Sequence, residues 1–498
     1  MGFYYTRSLQ KGIVSMSLNF TRFMLRVSVQ LSFGLAALLP QVNSAHAYYG
    51  AQSTEAWLTY EATADLPMST SPSLEQLNDP GSAQHRNAIT KLHDQIDHLM
   101  GVFQSVSFIK AFHYPASLGS EQDYEIRFRS IEPGLGRGRK KLSYDFKGKI
   151  VIKKDVFTAG QTARGDLPII LPYQADRIYS LTYDKKRKHN FCTDDHYNDD
   201  VDFFYFWDPE NEGCPLKDAA SDLLIRTLGT ITELPNTQKT FPEYQRLYDK
   251  TVDKGVLNIW IFIGYINDLK TLKKVNRHDD AVSSMKQVES FIALSEGFEE
   301  IERKGPFRED SLGRKVVSTG GRGINYLHTF EKKIQPPGYS QPNGLKVQIH
   351  IMVGDTDIDS KDSTFHNYWQ KGLQEGDIVY YDGHSGLGSN LDLSKLNAKL
   401  EQPIEPNLKK YQILFLNGCS SYPYFSEMYF DFKKGGSHLN IITAGLPTIT
   451  STAAPNMIAF LSPFIRGRSD SWQEIMDSLE LSNGQEGTYL FGVKGDVK

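Results

Sequence analysis

The chain has 498 residues, with 55 Lys and Arg against 59 Asp and Glu, for a formal net charge of −4. Its 40% hydrophobic and 12% aromatic content can fill buried cores, which excludes a disordered or fibrous chain, and the length predicts two to three domains. The acidic balance argues against nucleic-acid binding, which needs clustered Lys and Arg.

The N-terminal segment has the pattern of a targeting signal. Arg22 and Arg26 precede an apolar run over residues 27–39, broken only by Ser28, Gln30, Ser32 and Gly34. Ala45, His46 and Ala47 then supply the small-x-small pattern that signal peptidase cleaves after. The run is shorter than the ~20 residues that span a bilayer. Residues 1–47 are therefore expected to be a signal peptide, with a retained membrane anchor as the alternative; no later segment is apolar enough to span a membrane. Arg7, Lys11, Arg22 and Arg26 leave with it and no acid does, so the mature chain carries −8. Export exposes cysteines to oxidising conditions, where an even pair tends to be bridged. Cys192 and Cys214, 22 residues apart, are expected to form a disulfide, which leaves Cys419 as the odd thiol.

Residues 48–80 are polar, rich in Ser, Thr and Pro, and are expected to be a loosely ordered lead-in. A β-rich accessory domain of α+β type is expected over 81–245. Ile89, Leu92, Ile96, Leu99 and Phe103 recur at helical spacing over 84–103. His85, His93 and His98 decorate that helix without a metal-ligand spacing. Residues 124–131 and 142–154 alternate as strands. The glycine-rich basic stretch 134–141 between them reads as a hairpin loop rather than a phosphate cradle, because no helix follows it. Residues 167–173 and 180–183 add short strands. The acidic stretch 194–202 lacks the glycine and spacing of a calcium loop and reads as a surface loop; the aromatic run 203–207 reads as a buried strand. A linker is expected over 235–242, with a short helix on either side.

From residue 256 onward strands and helices alternate at βαβ spacing, predicting a mostly parallel sheet flanked by helices over 246–498. Strands are expected at 256–264, 345–353, 377–381, 411–416 and 439–443. Helices are expected at 281–301, 365–373, 393–400, after Ser421, and at 472–479. In such a sheet, sites form beyond the carboxyl ends of the strands. Two neighbouring strands end in glycine-marked turns, one at His384 and the other at Cys419. A His close to a thiol can take its proton and later protonate a leaving amine. Gly383, Gly386 and Gly418 allow close backbone approach. Spacing alone leaves a buried structural cysteine and a surface histidine as an open alternative.

The motifs add to this. Tyr381-Asp-Gly-His-Ser-Gly386 and Phe415-Leu-Asn-Gly-Cys-Ser-Ser421 resemble the paired signatures of the caspase-like cysteine peptidases, the group of caspases, gingipain, clostripain and separase. Gly-Cys-Ser-Ser is closest to the separase and bacterial CHAT-type versions. The resemblance covers roughly residues 255–480, with its specific motifs within 377–421. It implies a caspase-like α/β fold, His384 as general base, Cys419 as nucleophile, and an oxyanion hole from the backbone N–H groups of Ser385 and Cys419. Asp382, Gly383, Gly386, Asn417, Gly418 and Ser420 would shape the site, and no cofactor or metal is implied. The chain departs from the family in carrying Ser385 where Gly usually follows the His, which puts a side chain where substrate approaches. Family members read one substrate side chain through loops after neighbouring strands. Asp355 and Asp357, with Asp359 beside them, are candidates for recognising a basic side chain, or are a solvated loop; Thr450 and Thr452, with Ser451, are candidates for the rim. Two functions remain open: a secreted or periplasmic cysteine endopeptidase acting on protein or peptide substrates, or a catalytically inactive caspase-like binding or structural module. A metal- or glycan-binding role through 192–214 has only local composition behind it.

Overall fold

The first two strands go to different sheets. β1 (Tyr48–Tyr49) pairs antiparallel with the last strand of the chain, and β2 (Ser53–Pro67) then enters a second sheet. That second sheet is antiparallel and also holds β3 (Ala116–Leu118), β4 (Glu125–Pro133), β5 (Arg139–Lys153), β6 (Ala163–Pro172) and β7 (Leu224–Glu233). Its order is β3-β5-β2-β7-β6, with β4 also on β5. The stretch expected to be a loose lead-in therefore supplies a 15-residue strand to the middle of a sheet. Ala56, Leu58, Tyr60, Ala62, Ala64 and Leu66 are buried at a period of two. Half of that stripe is alanine, and Trp57, Thr59 and Thr63 alternate with it, so the hydropathy contrast that marks a strand is weak.

This structure, a computed structural model, describes residues 48–183, 190–217, 223–248, 255–267, 279–309, 324–340, 342–484 and 489–495. The signal peptide expected over 1–47 lies outside them. Among the described residues, no helix is long and apolar enough to cross a membrane.

The expected helix over 84–103 is two helices, Ala83–Ile96 and His98–Gln104, which lay Leu92, Ile96, Leu99 and Phe103 on the second sheet. Residues 134–138 form the loop of the β4–β5 hairpin, as expected. Other expectations in this half change. Residues 180–183 do not form a strand: a helix runs Ala175–Leu181, and four residues are too few for alternation to decide. Phe203–Phe206 is a 3-10 turn rather than a strand, with Phe203 and Tyr205 buried. Before the linker lies β7 rather than a helix; after it comes the helix Tyr244–Tyr248. Cys192 and Cys214 are joined as a disulfide.

The larger sheet holds β8 (Val256–Gly264), β9 (Glu299–Phe307), β10 (Asn325–Ile334), β11 (Leu345–Gly354), β12 (Ile378–Asp382), β13 (Gln412–Asn417), β14 (Leu439–Thr443) and β15 (Gly492–Lys494). Its order is β1-β15-β14-β13-β12-β8-β11-β10-β9. The five central strands from β14 to β11 are mutually parallel, and every pairing outside them is antiparallel. The sheet is thus mixed rather than mostly parallel. The difference arises partly because the helix expected to reach residue 301 ends earlier. The helix Asp280–Ser290 gives way to a short π turn, Gly297 adopts φ 68°, and the charged edge strand β9 follows.

Helices cover both faces, as buried parallel strands require. Tyr380 and Phe415 point to one face, with Met457, Phe460, Trp472 and Ile475. Tyr381, Leu414 and Leu416 point to the other, with Trp369, Phe425 and Tyr429. Buried polar contacts tie the second sheet to the helix Ser421–Phe432: the Tyr422 hydroxyl donates to Glu55 Oε1 at 2.6 Å, and Lys149 Nζ lies 3.2 Å from Glu427 and 3.1 Å from Asp123.

Candidate active site

β12 and β13 are parallel neighbours, with Asp382 in register with Asn417. Both strands are fully buried apolar runs, so polar residues are confined to their tips. The amide of Asn417 donates to Asp382 Oδ2 at 2.6 Å. From this registered pair each chain runs through one glycine, Gly383 or Gly418, to His384 or Cys419. The expectation that the two strands are neighbours holds, and it places the candidate residues at equivalent positions on adjacent turns.

The turns touch. Ser385 Oγ donates to the Cys419 carbonyl at 2.6 Å, and Ser385 is buried. A Cβ on Gly418 would lie 2.7 Å from Ser385 Oγ and 3.1 Å from the Gly383 carbonyl, so this approach needs glycine. On the histidine side, the His384 carbonyl accepts from the Tyr381 hydroxyl at 2.6 Å and from the Asn390 amide at 2.9 Å. Gly386 adopts φ 58°, the left-handed region that favours glycine. On the cysteine side, Ser420 adopts φ 49°. Ser421 Oγ then donates to the Leu416 carbonyl at 2.6 Å and accepts from the Ala444 amide at 2.8 Å, which stitches the helix start to β13 and β14.

The two side chains face different partners. The exposed His384 ring donates from Nε2 to the Ile266 carbonyl at 2.9 Å. The half-buried Cys419 thiol donates to the Thr448 carbonyl at 3.6 Å. Burial pushes this thiol above its ordinary value, against hydrogen bonding from Thr448. Burial likewise pushes the Asp382 carboxyl up to about 7, against the Asn417 hydrogen bond.

Tyrosines stand around it. Burial raises Tyr197, Tyr205, Tyr381 and Tyr424, and the Cys419 charge adds to the rise in each. Tyr205 also shares a 2.8 Å hydrogen bond with Ser420 Oγ. Sequence reasoning missed Ile266, Thr448, Tyr197, Tyr205 and Tyr424. Thr448 lies two residues from the rim candidate Thr450; the others carry no local signal.

The specificity candidates make local hydrogen bonds. Asp355 accepts from the Asp357 amide at 3.1 Å, and Asp357 from the Asp359 amide at 2.9 Å. Lys399 closes the same loop on the Ile358 and Ser360 carbonyls at 2.8 and 2.6 Å. The loop meets the His384 turn through Thr356, whose hydroxyl accepts from the Asn390 amide at 3.4 Å. Thr450 donates to Asp280 at 2.7 Å, and Thr452 donates to the Ile449 carbonyl at 2.8 Å. Comparison with known proteins returned no matching family model and no matching curated protein.

Proposed function

We propose that the chain is an exported cysteine endopeptidase of the caspase-like kind, with Cys419 as nucleophile and His384 as general base. The observation that carries this reading is the β12–β13 pairing. In-register Asp382 and Asn417 each lead through one glycine to the His and the Cys. The Cys192–Cys214 disulfide supports export, since such bonds persist in oxidising compartments. In the reaction His384 leaves the Ile266 carbonyl and takes the thiol proton, and the thiolate adds to the scissile carbonyl. The backbone N–H groups of Ser385 and Cys419 hold the oxyanion, His384 returns the proton to the departing amine, and water hydrolyses the thioester.

The buried Ser385 side chain favours a second reading, a catalytically inactive caspase-like binding or structural module, because it fills the gap between the two turns. Incubating the mature protein with a complex peptide mixture separates the two. New termini appear by mass spectrometry if the first reading holds, and Cys419→Ala and His384→Ala each lower their rate by at least ~100-fold. An absence of cleavage, or cleavage that survives Cys419→Ala, leaves the binding module.

A further inference from the structure

Residues 192–214, closed by the disulfide, form a tightly built loop in the N-terminal half of the chain. The Asp208 amide donates to the Cys192 carbonyl at 2.8 Å, and the single Thr193 hydroxyl proton is shared between the Tyr197 and Phe203 carbonyls, 3.1 and 3.0 Å from Oγ1. His98 packs edge-on against Phe203 and Trp207, and the Gln104 amide donates to the Tyr205 carbonyl. Gly101 lets its helix press onto the Trp207 backbone, where a Cβ would come within 2.2 Å of the nitrogen. Tyr205 is therefore held from behind, 1% exposed, with its ring against Tyr197 and Phe206. Its hydroxyl projects out of this assembly to Ser420 Oγ, 215 positions along the chain.

Ser420 is an informative place for that bond. It follows Cys419 directly, is buried, and sits at φ 49°. A non-glycine residue there is held in a disfavoured conformation only when its surroundings over-determine it. The Ser420 amide donates to the Leu446 carbonyl at 3.3 Å, and the side chain has the Tyr205 hydroxyl as its partner.

We propose that Tyr205 is a positioning residue for Cys419: its hydroxyl, presented by the disulfide-closed loop, holds Ser420 in the left-handed conformation that sets the thiol beneath Thr448. The consequence for catalysis rests on the reading of Cys419 as nucleophile; the positioning itself does not.

The test uses the full mature protein without reductant, with iodoacetamide as probe and mass spectrometry of the Cys419 peptide as readout across pH 6–10. Tyr205→Phe is expected to speed alkylation at least ~5-fold and move its midpoint down towards the free-thiol value of about 8.5, as the buried thiol is released. Peptide cleavage by the same variant should fall while alkylation rises. Ser420→Ala deletes the same hydrogen bond from the other side and should reproduce both changes, which keeps the test open should Tyr205→Phe fold poorly. Glycine takes positive φ without strain. In a Ser420→Gly background, Tyr205→Phe should therefore change alkylation less than ~2-fold, whereas a packing role would give the same change in both backgrounds. Unchanged alkylation in Tyr205→Phe and Ser420→Ala, or an equal change in the Ser420→Gly background, overturns the proposal. An alkylation change in a protein whose cleavage does not depend on His384 leaves the positioning intact and removes the peptidase reading.

Discussion

Asp382 is the most demanding single residue at the strand tips. Its carboxyl is buried, the groups that hydrogen-bond to it, the Asn417 amide among them, are neutral, and burial raises it to about 7. The unfolded value is near 3.9. The folded state therefore holds a proton that the unfolded state has lost between about pH 4 and 7. The stability tied to this proton is complete below about pH 4 and is lost as pH rises through about 7. Asp382→Asn keeps an acceptor for Asn417 and never ionises. Denaturant unfolding should find it more stable than the parent by on the order of 3 kcal/mol at pH 8, with the difference gone near pH 4. Parallel stability–pH curves for the two proteins would show that the carboxyl is ionised in the fold. Ser385 matters for a different reason. It stands where the resembled family has glycine, and its hydroxyl joins the two turns at 2.6 Å.

At the scale of elements, the site is two strand–turn units held by a helix. β12 and β13 were legible in sequence because each is a continuous apolar run stopped by a polar residue and glycine, a pattern with few other solutions in a parallel sheet. β2 was not, since alanine and threonine share its alternation, and β9 was hidden by its charges. The tyrosines around Cys419 were out of reach for another reason. Tyr197 and Tyr205 come to residues 419–420 through tertiary packing, which leaves no periodic trace. The specificity candidates were legible as loops after strands, but Asp355 and Asp357 accept hydrogen bonds within their own turns. The helix after Cys419 is gripped by the second sheet through Lys149, whose side chain is 2% exposed between Asp123 and Glu427. Lys149→Met leaves those carboxylates short of a partner and should lower unfolding free energy by about 3 kcal/mol. A loss under ~0.5 kcal/mol in denaturant titration would mean that Lys494, which also pairs with Glu427, suffices alone.

At the scale of the molecule, the described residues fall in one compact unit, and the expected accessory and caspase-like regions share elements across their boundary. β1 extends the larger sheet, β2 belongs to the smaller one, and Tyr48, Val151, Tyr422, Leu446 and Leu490 form a shared apolar cluster. A chain of residues 246–498 alone loses β1 and uncovers that cluster. It should show no cooperative thermal transition, while the mature chain unfolds in one; a sharp transition in the short chain would mean that 246–498 folds as a domain of its own. The central claim, that Cys419 is a nucleophile served by His384, is tested most directly by a peptidyl ketone electrophile library, with the Cys419 peptide read by mass spectrometry. Substrate-like binding should place the electrophile on the thiol, giving a Cys419 adduct in the wild-type protein and at least ~100-fold slower labelling in His384→Ala. An unmodified Cys419, or equal labelling with and without the imidazole, would contradict it.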